Sequence, residues 1–378
     1  MLDRYLDIME ICFDAYSPAL VADRRDRTGE RLSLQPYSRL THTLARLVAA
    51  GRRRYELDTL VAMITECCEE LPTLRRDSIA EFSTKEIAMA VVLVGDLVPP
   101  ETRERWRDQL AQVDPYDVYN TVIRDDSDAD RLHNINVYNL VGEYLRSLIV
   151  AGDIEEYFDK HWPIQLSRFD ENGMYRDPGC PMLYDLTTRC QIQLMLSRGY
   201  RGRYYDDLNA NLRKGALMLL SFQSAAGEFP FGGRSNQFLM NEALMAANFE
   251  YEAAHYAGAG DHQTASRFRR GAKLAIDAIE RWITAHPPRH IKNNFDVDSR
   301  YGVENYGGYD SYMIAAAAFL SIACEAINDA LPESEAPCEV GGYVLETSTD
   351  FHQLVANAGG YSVQIGRASC RERVCHNV

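Results

Sequence analysis

Apolar residues along most of this chain recur every three to four positions, the spacing that lines one face of an α-helix. The pattern predicts helices over 2–16, 36–50, 56–70, 85–96, 101–112, 134–151, 154–167, 182–198, 205–223, 237–258, 262–285 and 309–330. Punctuation agrees with several of these ends. Gly152 and Gly199 follow their helices as C-terminal caps do. Asp261 stands where an N-cap belongs, Pro100 precedes a start, and Pro287-Pro288 stops the 262–285 helix.

Glu242-Ala-Leu-Met-Ala-Ala247 and Met313-Ile-Ala-Ala-Ala-Ala318 carry the small residues that let helices approach closely on every side. Other helices have one apolar face only. No repeat recurs at the ~34–47-residue period of a helical solenoid. The expected fold is therefore mainly α, an (α/α) toroid of about six helical hairpins over 1–335, with a helical solenoid as the rival and a long bundle as a further alternative.

The period changes after Pro337. Residues 341–350 read as a strand, 351–358 as a turn or short helix, and 361–365 as another strand. A β-rich domain is expected over 338–364, as the truncated beginning of a sandwich. The last stretch, Ile365-Gly-Arg-Ala-Ser-Cys370-Arg-Glu-Arg-Val374, has no pattern of its own. Back-translated, it resembles read-through of a sequencing adapter, so 365–378 is expected to be a non-native tail on a metagenomic reading frame.

Composition narrows the function. The chain has 378 residues, 46% hydrophobic and 25% charged, with a formal net charge of -15. An acidic surface does not release counterions from phosphates, so a nucleic-acid partner is not expected. No apolar run is long enough to span a bilayer. The first residues, Met1-Leu-Asp-Arg-Tyr-Leu-Asp, lack the basic and then apolar regions of a signal peptide, so a cytoplasmic location is expected. The nine cysteines follow no CxxC spacing, which suits reduced thiols.

Candidate chemistry gathers on the segments between helices. The first cluster is His133-Asn134-Ile-Asn136 at a helix start, where capping competes with a functional reading. The second, Phe169 to Asp185, carries two turn signals and delivers Tyr184 and Asp185 to the next helix. The third is Gly232-Gly233-Arg234-Ser235-Asn236-Gln237, leading to Glu242. Two glycines permit close backbone approach, and an arginine at an expected helix start opposes the helix dipole, which suggests a bound anion. The fourth runs from His290 through Glu304, Tyr306, Tyr309, Asp310 and Tyr312, with tyrosines spaced for stacking on sugar rings. HExxH, P-loop and GxSxG motifs are lacking, and an Asp126-Asp128-Asp130 run lacks the glycine and closing glutamate of a calcium loop. No metal or other cofactor is expected.

Taken in order, an Asn-rich helix start, Asp-Glu-Asn-Gly-Met-Tyr leading to Tyr184-Asp185, Gly-Gly-Arg-Ser-Asn-Gln and a Glu/Tyr loop resemble the heparinase II/III-like toroidal polysaccharide lyases. The resemblance covers about 130–365 and rests on order and composition. Related (α/α)-toroid glycoside hydrolases share the architecture. It implies an acidic oligo- or polysaccharide substrate, split by β-elimination. Asn134, Asn136 and His133 would neutralise the uronate carboxylate, Tyr184 would act as base and acid, Arg234 would clamp the carboxylate, and Glu304 would orient Arg234. Asn236, Gln237, Glu242, His290, Tyr306, Tyr309 and Tyr312 would contact the sugar. A tyrosine ordinarily titrates near ~10, so this role needs a neighbouring cation, which Arg234 would supply. Two alternatives stay open. One is a hydrolase, of exo-uronidase type, using two carboxylates among Asp185, Glu242, Glu304 and Asp310. The other is a non-catalytic glycan-binding protein. Homo-oligomers are common among such enzymes, and the sequence shows no interface.

Overall fold

The computed structural model describes residues 1–366 apart from 17, 27–28, 77–78, 124–131, 231–232, 236, 285–287 and 297–308. Its helices are α1 (Leu2–Asp14), α2 (Pro18–Ala22), α3 (Leu34–Ala49), α4 (Leu57–Glu70), α5 (Ala80–Val94), α6 (Pro100–Leu110), α7 (Pro115–Val118) and α8 (Asn134–Val150). There follow α9 (Glu155–Leu166), α10 (Met182–Ser197), α11 (Tyr205–Phe222), α12 (Met240–Gly258), α13 (His262–Ile283), α14 (Tyr309–Ala326) and α15 (Pro337–Val340). Three strands close the chain: β1 (Gly341–Glu346), β2 (Gln353–Ala358) and β3 (Tyr361–Gly366). Two compact bodies divide these elements, one of 9–163 and one of 1–8 with 164–378.

In the body of 9–163, α3 packs on α5 and α5 on α8. These three are buried on most faces, whereas α6 buries only Trp106 and Leu110. A helix enclosed on all sides carries polar residues inward, and each needs a partner. Glu86 of α5 accepts from His42 of α3 at 2.5 Å and meets Lys85 at 2.7 Å. Glu81 accepts from the Thr121 backbone N–H and hydroxyl at 2.8 and 2.9 Å. Tyr119 donates to Glu143 at 2.5 Å.

The other body repeats the scheme. α12 packs on α10, α13 and α14, and it is buried almost throughout. Ala243, Ala246 and Ala247, with Ala315 to Ala318 of α14, are buried and supply the small surfaces these close contacts need. α13 is amphipathic and buries one face, with Asp261 capping its start by accepting from Thr264 N–H at 3.0 Å. Of the two expected glycine caps, Gly199 takes positive φ after α10, whereas after α8 Ala151, with φ 55°, takes the left-handed position one residue before the expected Gly152.

Residues 353–358 are a strand, where a turn or short helix was expected over 351–358. β2 lies between β1 and β3 in an antiparallel sheet. Its Gln353, Val355 and Asn357 are buried while the intervening positions are less so, an alternation too short to recognise without its neighbours. Gly359 and Gly360, both at positive φ, make the tight turn to β3. β3 extends through Gly366, so Ile365 and Gly366 of the expected tail pair in the sheet; 367–378 lie outside the described residues. Tyr343 of β1 donates to the Ser221 carbonyl at 2.7 Å, and Arg270 of α13 grips Glu339 at 2.6 Å, fastening the sheet to the helices of its own body.

Candidate functional site

The loop before α10 is shaped from within. Asp170 Oδ1 accepts from the N–H groups of Asn172 and Met174 at 3.0 and 2.8 Å, a self-bonded Asx turn. Gly173 sits at φ +72°, and a Cβ there would lie 2.6 Å from the Asn211 carbonyl. Asp185 Oδ1 accepts from Tyr175 N–H at 2.7 Å, and Arg189 Nε lies 3.0 Å from Asp185 Oδ2. Arg189 also bonds the carbonyls of Leu212, at 2.9 Å, and of Gly173. Asp185 and Arg189 are both fully buried. Burial pushes the Asp185 carboxyl up, and Arg189 opposes that. Asp185, expected at the chemistry, is thus an anchor of this loop.

The anchored loop presents Asp177. Its enclosed carboxylate Oδ2 accepts from Arg234 Nη2 at 2.7 Å, while the Arg234 side chain stays 35% exposed. The guanidinium carbon of Arg234 stands 4.8 Å from the Tyr184 ring centroid. Tyr184 Oη and Ser235 Oγ are 3.0 Å apart. The structure therefore brings Tyr184 and Arg234 together. Nη2 carries the Asp177 bond, which leaves the Arg234 Nε and Nη1 faces to meet an anion.

The physical setting of Arg234 is different from the expectation. α12 begins at Met240, so Arg234 precedes the helix by several residues and the helix dipole does not act on it. It is held by Asp177. The expected close approach does occur: a Cβ on Gly233, at φ +82°, would lie 2.7 Å from Pro181. Ser235 and Gln237 adopt positive φ, 63° and 65°, which non-glycine residues rarely do and which marks local strain.

A third segment pins this loop. Phe238 and Ile291 form a bridge, the Gln237 carbonyl accepts from Lys292 N–H at 2.6 Å, and the His290 carbonyl accepts from Leu239 N–H at 3.0 Å. Phe238 is stacked against Tyr312 at 4.1 Å and against His290 at 6.2 Å. Tyr312 and His290 thus pack on a neighbouring ring. Gln237 accepts from the Asn293 amide at 3.4 Å. Glu242, fully buried in the first turn of α12, accepts from Lys292 Nζ at 2.6 Å and Phe229 N–H at 2.9 Å. Burial pushes its carboxyl up, with Lys292 opposing, and Oε2 has no hydrogen-bond partner among the described residues.

His133, Asn134 and Asn136 belong to the body of 9–163. His133 is the N-cap of α8, with Nδ1 accepting from Ile135 N–H at 3.3 Å, and Asn136 closes the capping box by accepting from His133 N–H at 2.9 Å. Asn136 also donates to the Thr121 carbonyl, and Asn134 is buried beside it. The capping role is the one the geometry displays. Asn236, Glu304 and Tyr306 lie outside the described residues, and Tyr309 and Asp310 open α14. Asp177 and Lys292 were missed as site residues. Asp177 reads as part of an Asp-Pro-Gly turn, and nothing local announces a partner 57 positions away.

Among the described residues, no cluster of histidine, cysteine and acidic residues could hold a metal ion, and no helix is long and apolar enough to cross a membrane. No family model and no curated protein sequence matches this chain. One similar solved structure is described as a possible member of the GH105 family, from Salmonella enterica subsp. enterica serovar Paratyphi A. It is 10% identical, with a TM-score of 0.50, and the match covers 86% of this chain and 95% of that one. The likeness shows the fold: mainly helical, an (α/α) toroid, with a small sheet in this chain.

Proposed function

We propose that this protein is a carbohydrate-active enzyme that cleaves a saccharide at a uronate unit. One observation carries the reading: a third-exposed arginine, Arg234, anchored by the enclosed Asp177 and set against the ring of Tyr184. An arginine held from behind is a preorganised fork for a carboxylate.

The chemistry this pair suits is β-elimination. Arg234 withdraws charge from the uronate carboxylate, so the proton on the adjacent ring carbon becomes acidic. Tyr184 takes that proton, the bond to the leaving glycosidic oxygen breaks, and a ring double bond forms. The same hydroxyl returns a proton to the leaving oxygen. Arginine donors stabilise the developing enolate, the role that preorganised dipoles play in such reactions.

A second reading is hydrolysis. It is favoured by the GH105 description of the similar structure and by Glu242, whose carboxyl burial raises as a general acid requires. The two readings separate in one experiment. Uronate-containing oligosaccharides are incubated with the protein, and both the ultraviolet absorbance of an unsaturated uronate and new reducing ends are followed. Absorbance that rises and is abolished by Tyr184→Phe supports elimination. Reducing ends without absorbance, lost in Glu242→Gln, support hydrolysis. Activity unchanged by Arg234→Ala would sink both.

A further inference from the structure

The body of 9–163 contains a pocket of about 520 Å³ that the proposed reaction does not use. That volume lies within the range of small-molecule sites. The pocket sits at the C-terminal end of α8, beside α7 and the start of α9. His133, Asn134 and Asn136 mark the opposite end of α8, and its 17 residues span about 25 Å.

Its lining mixes aromatic faces with hydrogen-bonding groups. The rings of Tyr116 and Tyr157 meet edge to face, with centroids 6.2 Å apart. Arg146 is part of the lining. Its Nε and Nη2 bond Glu143, at 3.0 and 2.5 Å, and Nη1 bonds the Leu110 carbonyl at 3.0 Å. A guanidinium has five N–H donors, so each terminal nitrogen retains one for a ligand. Ser147 Oγ donates to the Tyr144 carbonyl at 2.7 Å and keeps its lone pairs to accept. Aromatic carbon beside fixed donors and acceptors is the chemistry that recognises a sugar ring, apolar on its faces and hydroxylated at its edge.

Charge selects the kind of sugar. Asp114, Glu143, Asp153 and Glu156 line the pocket against Arg146 and Lys160, a surplus of acids. The carbonyl end of α8 adds partial negative charge. A uronate is disfavoured on both counts. The geometry points to a second saccharide site, selective for neutral sugar units, in a protein whose proposed reaction centre takes an acidic one.

The full-length protein is titrated calorimetrically with neutral hexose and pentose oligosaccharides and with uronate oligosaccharides of matched length. A neutral saccharide is expected to bind saturably. Tyr116→Ala and Gly152→Phe should each weaken that binding at least tenfold. Gly152 lines the pocket, and a Cβ there meets only Val150 Cγ2, at 3.5 Å, so a side chain can be added without a clash at the backbone. Circular dichroism verifies that both variants stay folded. Arg234→Ala should leave this affinity intact, which keeps the test independent of the proposed reaction. The assignment falls if no neutral saccharide binds, if binding survives both substitutions, if uronates bind better, or if Arg234→Ala removes it.

Discussion

Two buried carboxylates show how neighbours, and not burial alone, set the behaviour of a residue. Glu252 of α12 is fully enclosed, and burial pushes its pKa from 4.5 up to about 7 although Arg213 opposes it. Between those values the folded protein keeps a proton that the unfolded chain releases. Stability from this group therefore falls as pH rises through 4.5 to about 7, by up to about 3 kcal/mol. Thermal unfolding of Glu252→Gln should show a flatter profile across that window. Glu86 has the opposite sign. Burial would raise it, but Lys85 and His42 prevail and hold it at about 2. Its contribution is present above 4.5 and is lost as pH falls toward about 2. Glu86→Gln should cost ~3–5 kcal/mol near neutral pH, because Lys85 stays buried without its counter-charge. At the candidate site, Arg234→Lys keeps a charge but loses the fork. A charge-assisted contact is worth ~1.5–3 kcal/mol, so kcat/KM on a uronate substrate should drop roughly 10- to 100-fold.

An exposed reading of α11 would mark Gly215 as a weak point, since glycine costs a helix ~1 kcal/mol against alanine. The packing reverses that. A Cβ on Gly215 would lie 1.6 Å from Arg189 Nη2, so the missing side chain is the space in which the guanidinium lies. Gly215→Ala should displace Arg189 and leave Asp185 buried without its partner, a loss of ~3–5 kcal/mol in denaturant unfolding. Gly258, at the end of α12, is the control. It has open space around it and no positive φ, so Gly258→Ala should stabilise by ~0.4–1 kcal/mol. The three-stranded sheet gives the same lesson. Its paired glycine turn is visible in the sequence, but the strand before it is short and flanked by a residue at positive φ, His352. Only pairing on both sides makes it a strand.

For the whole molecule the governing quantity is a formal net charge of -15. Its field is long-ranged and repels an acidic saccharide, whereas contact with Arg234 is short-ranged. Salt screens the first more than the second, with a Debye length of about 10 Å at 0.1 M. On the proposed function, kcat/KM for a uronate substrate should rise about two- to fivefold between low and physiological ionic strength, an on-rate effect. The affinity of the pocket beside α8 for neutral saccharides should stay flat across the same range. A uronate reaction that slows steeply with salt would show that local attraction dominates.

The twelve longer helices and the change to strands after Pro337 were legible because they depend on residues a few positions apart, whereas the short α2, α7 and α15 carry too few positions to show a period. Periodic burial leaves a local imprint, and glycine, proline and capping residues mark the ends. The loop that leads to Tyr184 and the one that carries Arg234 were legible for the same reason: turn residues and glycines concentrate there. Pairing was not. That Arg234 leans on Asp177, that Asp185 is spent on Arg189 and the Tyr175 backbone, that Lys292 meets Glu242 and that Gly215 makes room for a guanidinium are facts about residues distant in the chain. Charge and shape complementarity across such distances leave no local pattern. Tertiary packing alone decides which polar residues are sealed into the scaffold and which remain to meet a substrate.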